Sequence, residues 1–414
     1  LYASALSAGL LGMLPLAVYG AIRRRRELVV QFAIVAAPLY LIYVAMVGGD
    51  VMLGRLLIPA LPLVLILGEL GARILIEERR WKIALPALAI ASLALVPTRL
   101  GRLEIKETSS PRVATLDPDL RVRVIGVRAL HYTTAADPDE DRPSHVRAAS
   151  GLAFSRWRLV VIQDDTAFIA TVGPEEVAAI ALPVDGRRRF EVALGNKQDK
   201  LDLEACVAVG EDVWAFGSGS SDRRERIVVI GDTTQIVDAS ALYRKIHDEL
   251  GGAINLEGAA SVGEELWLFH RGNTGPDDPG PAAIRFDRAA MTKWLQGIGP
   301  VPSIIASTPF DLGTIGGVRL GFTDAVAVGS RAFYLAAAEA SPNAIDDGVV
   351  TGSQLGVIDG NVVRAAPLEY EGTPLKAEGI AFDPSNPRHA WISVDPDDVD
   401  RPAQLFEVEL VGRW

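Results

Sequence analysis

The chain has 414 residues and a net charge of −11, and its mean hydropathy of +0.23 is high for so acidic a composition. The lone Cys206 excludes an intrachain disulfide, and the acidic balance argues against nucleic-acid binding while suiting cations or basic ligands. The charge is unevenly divided: residues 1–110 hold 12 Lys and Arg against 7 Asp and Glu, net +5, which leaves 29 against 45 in residues 111–414, net −16.

Four apolar runs occupy the first part, at about Ala3–Ile22, Leu28–Val47, Leu56–Ile76 and Ile83–Pro97. Three are near the ~20 residues a spanning helix needs, and the fourth is short but uncharged. About four transmembrane helices are expected, with a buried globular helix pair as the alternative. The basic loops Arg23–Arg26 and Glu77–Lys82 are separated by two spans and so share a side, and basic loops prefer the cytoplasm. Residues after Pro97 then lie on the extracytoplasmic side of a bacterial cytoplasmic (inner) membrane, with the lipid bilayer as a partner. Leu1 begins inside an apolar run, so the natural N-terminus is expected upstream.

The stretch YVAMVGGDVMLGRLLIPALPLVLIL (Tyr43–Leu67) resembles the later membrane segments of polytopic glycosyltransferases that use lipid-linked sugars, which carry a GGD…R…P-x-L-P pattern on the outer face. The resemblance implies that Asp50 and Arg55 lie beside a lipid-phosphate or sugar site, where a guanidinium suits phosphate oxygens. It also implies that the catalytic carboxylate of that family lies upstream of this chain. By their residue types alone, Asp50 and Arg55 fit an ordinary tight outward loop equally well.

Beyond a polar linker at about Thr98–Pro111, the chain repeats. DLEACVAVGEDVWAFGSGSS, NLEGAASVGEELWLFHRGN, FTDAVAVGSRAFYLAAAEAS and AEGIAFDPSNPRHAWISVDPDD align, as does the weaker ASGLAFSRWRLVVIQDD. Their anchors are Ser150, Glu204, Glu257, Asp324 and Glu378, at steps of 54, 53, 67 and 54 residues. The long third step holds TGPDDPGP and the helix-like DRAAMTKWLQ. Each unit reads as an acid, a short apolar strand, a turn, an aromatic-rich strand and two further strands. Four strands per roughly fifty residues make a β-propeller blade. The expected fold is thus an all-β propeller over 111–414, of five blades, or six if Arg112–Leu130 heads a degenerate one, preceded by transmembrane helices and linker in 1–110. In the five-blade version Leu120–Leu130 supplies the outer strand of the last blade and closes the ring.

An inner strand begins at one mouth of the channel and the second strand returns to it. Glu204, Glu257, Asp324 and Glu378 therefore ring one mouth, joined by Asp164, Asp165, Ser218, Ser220, Arg223, His270, Arg271, Asn273, Glu339, Asp395 and Asp398. Converging carboxylates raise one another's pKa unless a cation neutralises them. Oxygen ligands suit Ca²⁺ or another divalent cation, with Glu204, Glu257, Asp324 and Glu378 as candidate ligands and a small-molecule ligand as the other occupant. His270 would widen the choice of metal. Two structural alternatives stand beside this: the acids accept backbone N–H groups, or Arg271 and Arg223 pair with them in a metal-free ring. Trp214, Trp267 and Trp391 read as packing between blades, and GSGSS (Gly217–Ser221) as a weak anion cradle.

Taken together, these motifs resemble a bacterial propeller family of undefined function, distantly similar to esterase-like-phytase and lactonase-type propellers, over residues 120–412. The resemblance implies the fold and a carboxylate-lined mouth. By analogy with metal-dependent lactonase-type propellers it also implies an axial divalent ion and hydrolysis. Ser150 in place of an acid departs from that pattern.

Overall fold

The computed structural model describes residues 17–19, 21–27, 30–32, 67, 69–74, 110–272, 278–340, 348 and 350–414. The chain divides into two compact units, Leu1–Thr108 and Ser109–Trp414.

In the first unit, Ala17, Val30 and Leu67 are buried against one another, with Ala21 and Leu70 beside them. The expected four-helix transmembrane segment, and with it the inner-membrane location, is corrected here. No helix among the described residues is long and apolar enough to cross a membrane. A turn holds the Arg24–Glu27 pair at 2.7 Å, and Arg73 pairs with Glu69 at 2.6 Å one turn back. Most of the four apolar runs, including Asp50 and Arg55, lie outside the described residues.

The second unit opens with β1 (Arg112–Leu116) and β2 (Arg121–Ala129). Blade 1 comprises β3 (Ala149–Ser155), β4 (Arg158–Gln163), β5 (Phe168–Val172) and β6 (Val177–Ala181). Blade 2 comprises β7 (Leu203–Val209), β8 (Asp212–Gly217), β9 (Arg226–Ile230) and β10 (Thr234–Asp238), followed by helix α1 (Ser240–Leu250). Blade 3 comprises β11 (Leu256–Val262), β12 (Glu265–His270), β13 (Ala282–Asp287) and β14 (Ile304–Asp311), with helix α2 (Arg288–Leu295) before its last strand. After the small hairpin β15 (Thr314–Ile315) and β16 (Val318–Arg319), blade 4 runs through β17 (Gly321–Val328), β18 (Arg331–Glu339), β19 (Val350–Asp359) and β20 (Val362–Pro367). A second small hairpin, β21 (Glu369–Tyr370) and β22 (Thr373–Pro374), leads to blade 5, which is β23 (Ala377–Asp383), β24 (Asn386–Val394) and β25 (Gln404–Val411).

The fourth strand of blade 5 is β2, antiparallel to β25 from Arg121 opposite Val411 to Ala129 opposite Gln404. A strand from the start of the unit thus completes the last sheet, and backbone hydrogen bonds close the ring without a covalent join. Strand β1 heads no sixth blade. It pairs in parallel with both β14 and β20, bridging the outer edges of blades 3 and 4 into one nine-stranded sheet.

Five apolar clusters hold the unit together, one between each pair of neighbouring blades around the ring. Phe216, Phe269, Phe286, Phe322 and Phe333 are among the largest fully buried side chains, each contributing about 1.5–3 kcal/mol of apolar burial. Trp214 lies in the blade 2–3 cluster, and Trp391 stacks on Phe154 across the blade 5–1 boundary at 5.9 Å. Trp267 packs at the blade 3–4 boundary and donates its indole N–H to Glu265 at 2.8 Å. Helix α1 does not emerge from the strand repeat, although its Leu242, Tyr243 and Ile246 have helical spacing and are buried. Gly251 ends it in the left-handed conformation at φ 75°, with its N–H on His247 O.

In blade 4 the ring of Tyr334 lies over its cross-strand partner Gly356, so a Cβ there would lie 2.1 Å from the ring. Gly356→Ala is expected to cost about 1–3 kcal/mol by overpacking, read as a lower urea midpoint at unchanged slope.

Candidate functional site

Every inner strand carries a β-bulge near its start. Pairing jumps from Ala149 to Gly151, Leu203 to Ala205, Leu256 to Gly258, Phe322 to Asp324 and Ala377 to Gly379. The unpaired residues are Ser150, Glu204, Glu257, Thr323 and Glu378, because a bulge re-aims the side chain it carries. Asp324 is therefore not the fourth member of the acid ring. Thr323 occupies that position, and Asp324 stands one residue further on, fully buried and away from the mouth. The hydroxyls of the two blades without a glutamate stitch each to the next blade: Ser150 donates to Leu203 O at 2.5 Å and Thr323 to Ala377 O at 2.6 Å.

The three glutamates face a cavity of about 280 Å³ at one mouth of the channel. Eleven carboxylates and six cationic side chains line it. Asp164, Asp202 and Glu204 each place an oxygen within 4.8 Å of the others, so this cluster could hold a metal ion. All three donors are hard carboxylate oxygens, which suit Ca²⁺ or Mn²⁺. The Lys200 ammonium already sits there, 2.5 Å from Asp164 and 2.6 Å from Asp202.

Arg224 meets Asp202 from the other side at 2.8 Å, and Ser218 donates to the same carboxylate at 2.5 Å. Arg147, 3% exposed, pairs with Asp165 at 2.7 Å and Glu191 at 3.5 Å. Arg271 bridges Glu257, at 3.2 Å, and Glu339, while Asn255 donates to Glu257 at 2.6 Å. Lys376 lies 3.7 Å from Glu378 and also pairs with Asp397. Glu204 makes no hydrogen bond or ion pair among the described residues.

The electrostatics follow these pairings. Burial first, then the charges of Asp164, Asp202 and Glu257, push Glu204 well above the usual carboxylate range. Burial raises Glu257 to about 7 even against Arg271, and raises Asp165 to about 7 with the help of Asp164. Asp395 also stands at about 7, raised by burial against Lys376. Glu378 is raised well above its ordinary value by burial. Asp202 goes the other way: burial raises it, but Lys200 and Arg224 together hold it low.

The remaining expected residues fall as follows. Asp164, Asp165, Arg271, Glu339, Asp395 and Asp398 line the cavity with Glu204, Glu257 and Glu378. His270 is fully buried and outside it. Its Nδ1 accepts from Asn255 N–H at 3.0 Å, which leaves Nε2–H to donate to Asp278 at 3.3 Å, so the ring pins the following loop and offers no free nitrogen to a metal. Asn273 lies outside the described residues. Arg223 is exposed and pairs with Asp199 at 2.6 Å, while the next residue, Arg224, reaches the site. In GSGSS, Ser218 bonds Ser220 and Asp202, and Arg224 donates to Ser220 at 2.7 Å. That stretch is part of a closed polar network.

The sequence reading missed Lys200, Asp202, Asn255 and Lys376. For the last three the signal is a polar residue two before each bulged acid, in Asp202-Leu-Glu204, Asn255-Leu-Glu257 and Lys376-Ala-Glu378. Both members of each pair line the cavity.

Residues 145–410 match a family of unknown function, DUF6929. The chain belongs to this family. The DUF6929 match covers all five inner strands, and so every residue of the acidic mouth named above. Among curated proteins, none matches the chain. Among solved structures, Myxococcus xanthus glutaminyl cyclase is similar at 12% identity and a TM-score of 0.39, over 74% of this chain and 100% of that one. A mannose phosphorylase from Leishmania mexicana, in complex with phosphate ion, is similar at 11% identity and a TM-score of 0.36, over 69% and 89%. Apo AztD from Citrobacter koseri is similar at 10% identity and a TM-score of 0.24, over 61% and 54%. The propeller assignment of this DUF6929 chain rests on its own sheet topology.

Proposed function

We propose that the propeller is a binding module whose acidic mouth takes up a small cationic ligand, a divalent metal ion such as Ca²⁺ being the first choice. The observation that carries this reading is the surplus of eleven carboxylates over six cations around one cavity, with the Glu204 carboxylate unpaired among the described residues. The place to be filled is the Asp164, Asp202 and Glu204 cluster. An incoming cation has to displace the Lys200 ammonium from Asp164 and Asp202, so the lysine acts as a tethered competitor that keeps the site neutralised between ligands. The same carboxylates could serve general acid–base hydrolysis, since Asp165 and Asp395 stand near neutrality, but binding is the reading that needs no further group.

The purified chain is expected to gain stability on adding Ca²⁺ or Mn²⁺, by about 2.7 kcal/mol at a hundredfold excess over Kd, seen as a higher melting temperature. Glu204→Gln should abolish most of that gain, and Lys200→Met should tighten binding by removing the competitor. Calorimetry with 1,4-diaminobutane tests an organic cation in the same cavity. No response to either metal or to the diamine, in native protein and Lys200→Met alike, would sink the proposal.

A further inference from the structure

We propose that Asp324 is an axial stopper, a single carboxylate that closes the waist of the propeller and separates the acidic mouth from an apolar chamber on the opposite side. On β17 it holds the position occupied by Gly151, Ala205, Gly258 and Gly379 in the other four blades. Those strands approach one another too closely for a larger residue: a Cβ on Gly258 would lie 2.8 Å from Ala325 N, and one on Gly379 would lie 2.8 Å from Leu152 N. Small residues on four strands leave room on the axis for one side chain from the fifth.

Asp324 fills that room. One oxygen accepts from Ala325 N–H of its own strand and the other from Ile380 N–H of β23, both at 2.7 Å. The N–H of Leu152 on β3 also favours the ionised carboxyl. In the ring, β23 lies between β17 and β3, so this influence reaches past a neighbour from a blade across the axis. Strand β17 also touches β7, the other strand opposite it. One side chain thus ties blades 4 and 5 through backbone amides in a fully buried place.

Beyond the stopper lies a cavity of about 450 Å³, lined mostly by apolar side chains such as Leu152, Phe154, Val326 and Phe382, with Cys206 and the polar Ser261 and Asp383 among them. The acidic mouth is therefore a blind pocket, and a ligand that enters it leaves the same way. Cys206 belongs to the far side. Burial, with the Asp324 charge added, pushes its thiol well above the ordinary range and keeps it protonated. None of this depends on whether a cation binds.

Cys206 is the chain's own reporter, because it is the single thiol. The probe is a small methanethiosulfonate with a trimethylammonium head group, which the acidic mouth attracts. Native protein should label slowly, and Asp324→Gly, which installs the residue three other blades use, should label about tenfold faster or more. Excess formate supplies a carboxylate to the freed Ala325 and Ile380 N–H groups and should return the variant towards the native rate, while leaving the native rate unchanged. A folded Asp324→Gly that labels at the native rate, or that ignores formate, overturns the stopper. Should that variant not fold, Asp324→Asn decides: its amide offers one acceptor oxygen where two are needed, so a clear fall in melting temperature is expected and a native value overturns the proposal.

Discussion

Arg271→Met is expected to lower stability by about 3–5 kcal/mol at neutral pH, the usual cost of leaving buried charges without their partner. Arg271 is the shared counter-ion of Glu257 and Glu339, and it faces the Glu378 charge as well. Methionine keeps most of the aliphatic volume, so the loss reports charge rather than packing. Without the guanidinium, the glutamates can escape repulsion only by taking up protons. The variant should therefore recover much of the deficit at pH 5. Urea midpoints of both proteins at pH 5 and pH 7.5 measure this. An equal deficit at both pH values would show that Arg271 acts through packing.

The native protein without added metal is expected to lose stability as pH rises from about 4 to about 7. Asp165, Glu257 and Asp395 all stand at about 7 in the folded chain, each raised chiefly by burial from an ordinary value near 4. In that window the folded state holds protons that the unfolded state has released, so the stability present on the acid side is lost as pH passes through the folded values. Asp202 has the opposite sign. Its folded value is depressed by Lys200 and Arg224, so its contribution is present above its ordinary value and disappears only in stronger acid, below the window. One pKa unit corresponds to about 1.4 kcal/mol, and mutual coupling keeps the three acids from contributing in full, so the expected fall is on the order of 3 kcal/mol. Saturating Ca²⁺ should flatten the slope, because a bound cation favours the ionised carboxylates. Denaturation midpoints at half-unit pH steps, with and without Ca²⁺, provide the check; a midpoint that climbs from pH 5 to 7 in metal-free protein contradicts the assignment.

Much of the propeller was legible before any coordinates. Alternating apolar strands at a period near 54 residues announce four-stranded units, and the Val- and Arg-rich Leu120–Leu130 suits an outer strand with one face in solvent. The acid ring was only partly legible. Glu204, Glu257 and Glu378 can be read from their repeats, but aligning FTDA with NLEG puts Asp324 where Thr323 belongs. A bulge shifts the pairing by one residue, and a one-residue shift moves a side chain from the mouth to the axis. The apolar N-terminal runs misled for a different reason: hydropathy records that a run is apolar and says nothing about which surface covers it.

Taken alone, the sequence determined the strand period, the blade content, the location of the negative charge in residues 111–414, and a set of acids at strand starts, because these depend on local pattern and composition. Only the tertiary structure decided what neutralises those acids. Lys200, Arg147, Arg224 and Arg271 come from four separate segments of three blades, and no periodicity relates them. It also decided which carboxylate takes the axis. Five strands converge too tightly for more than one side chain, and that crowding exists only once the ring has closed.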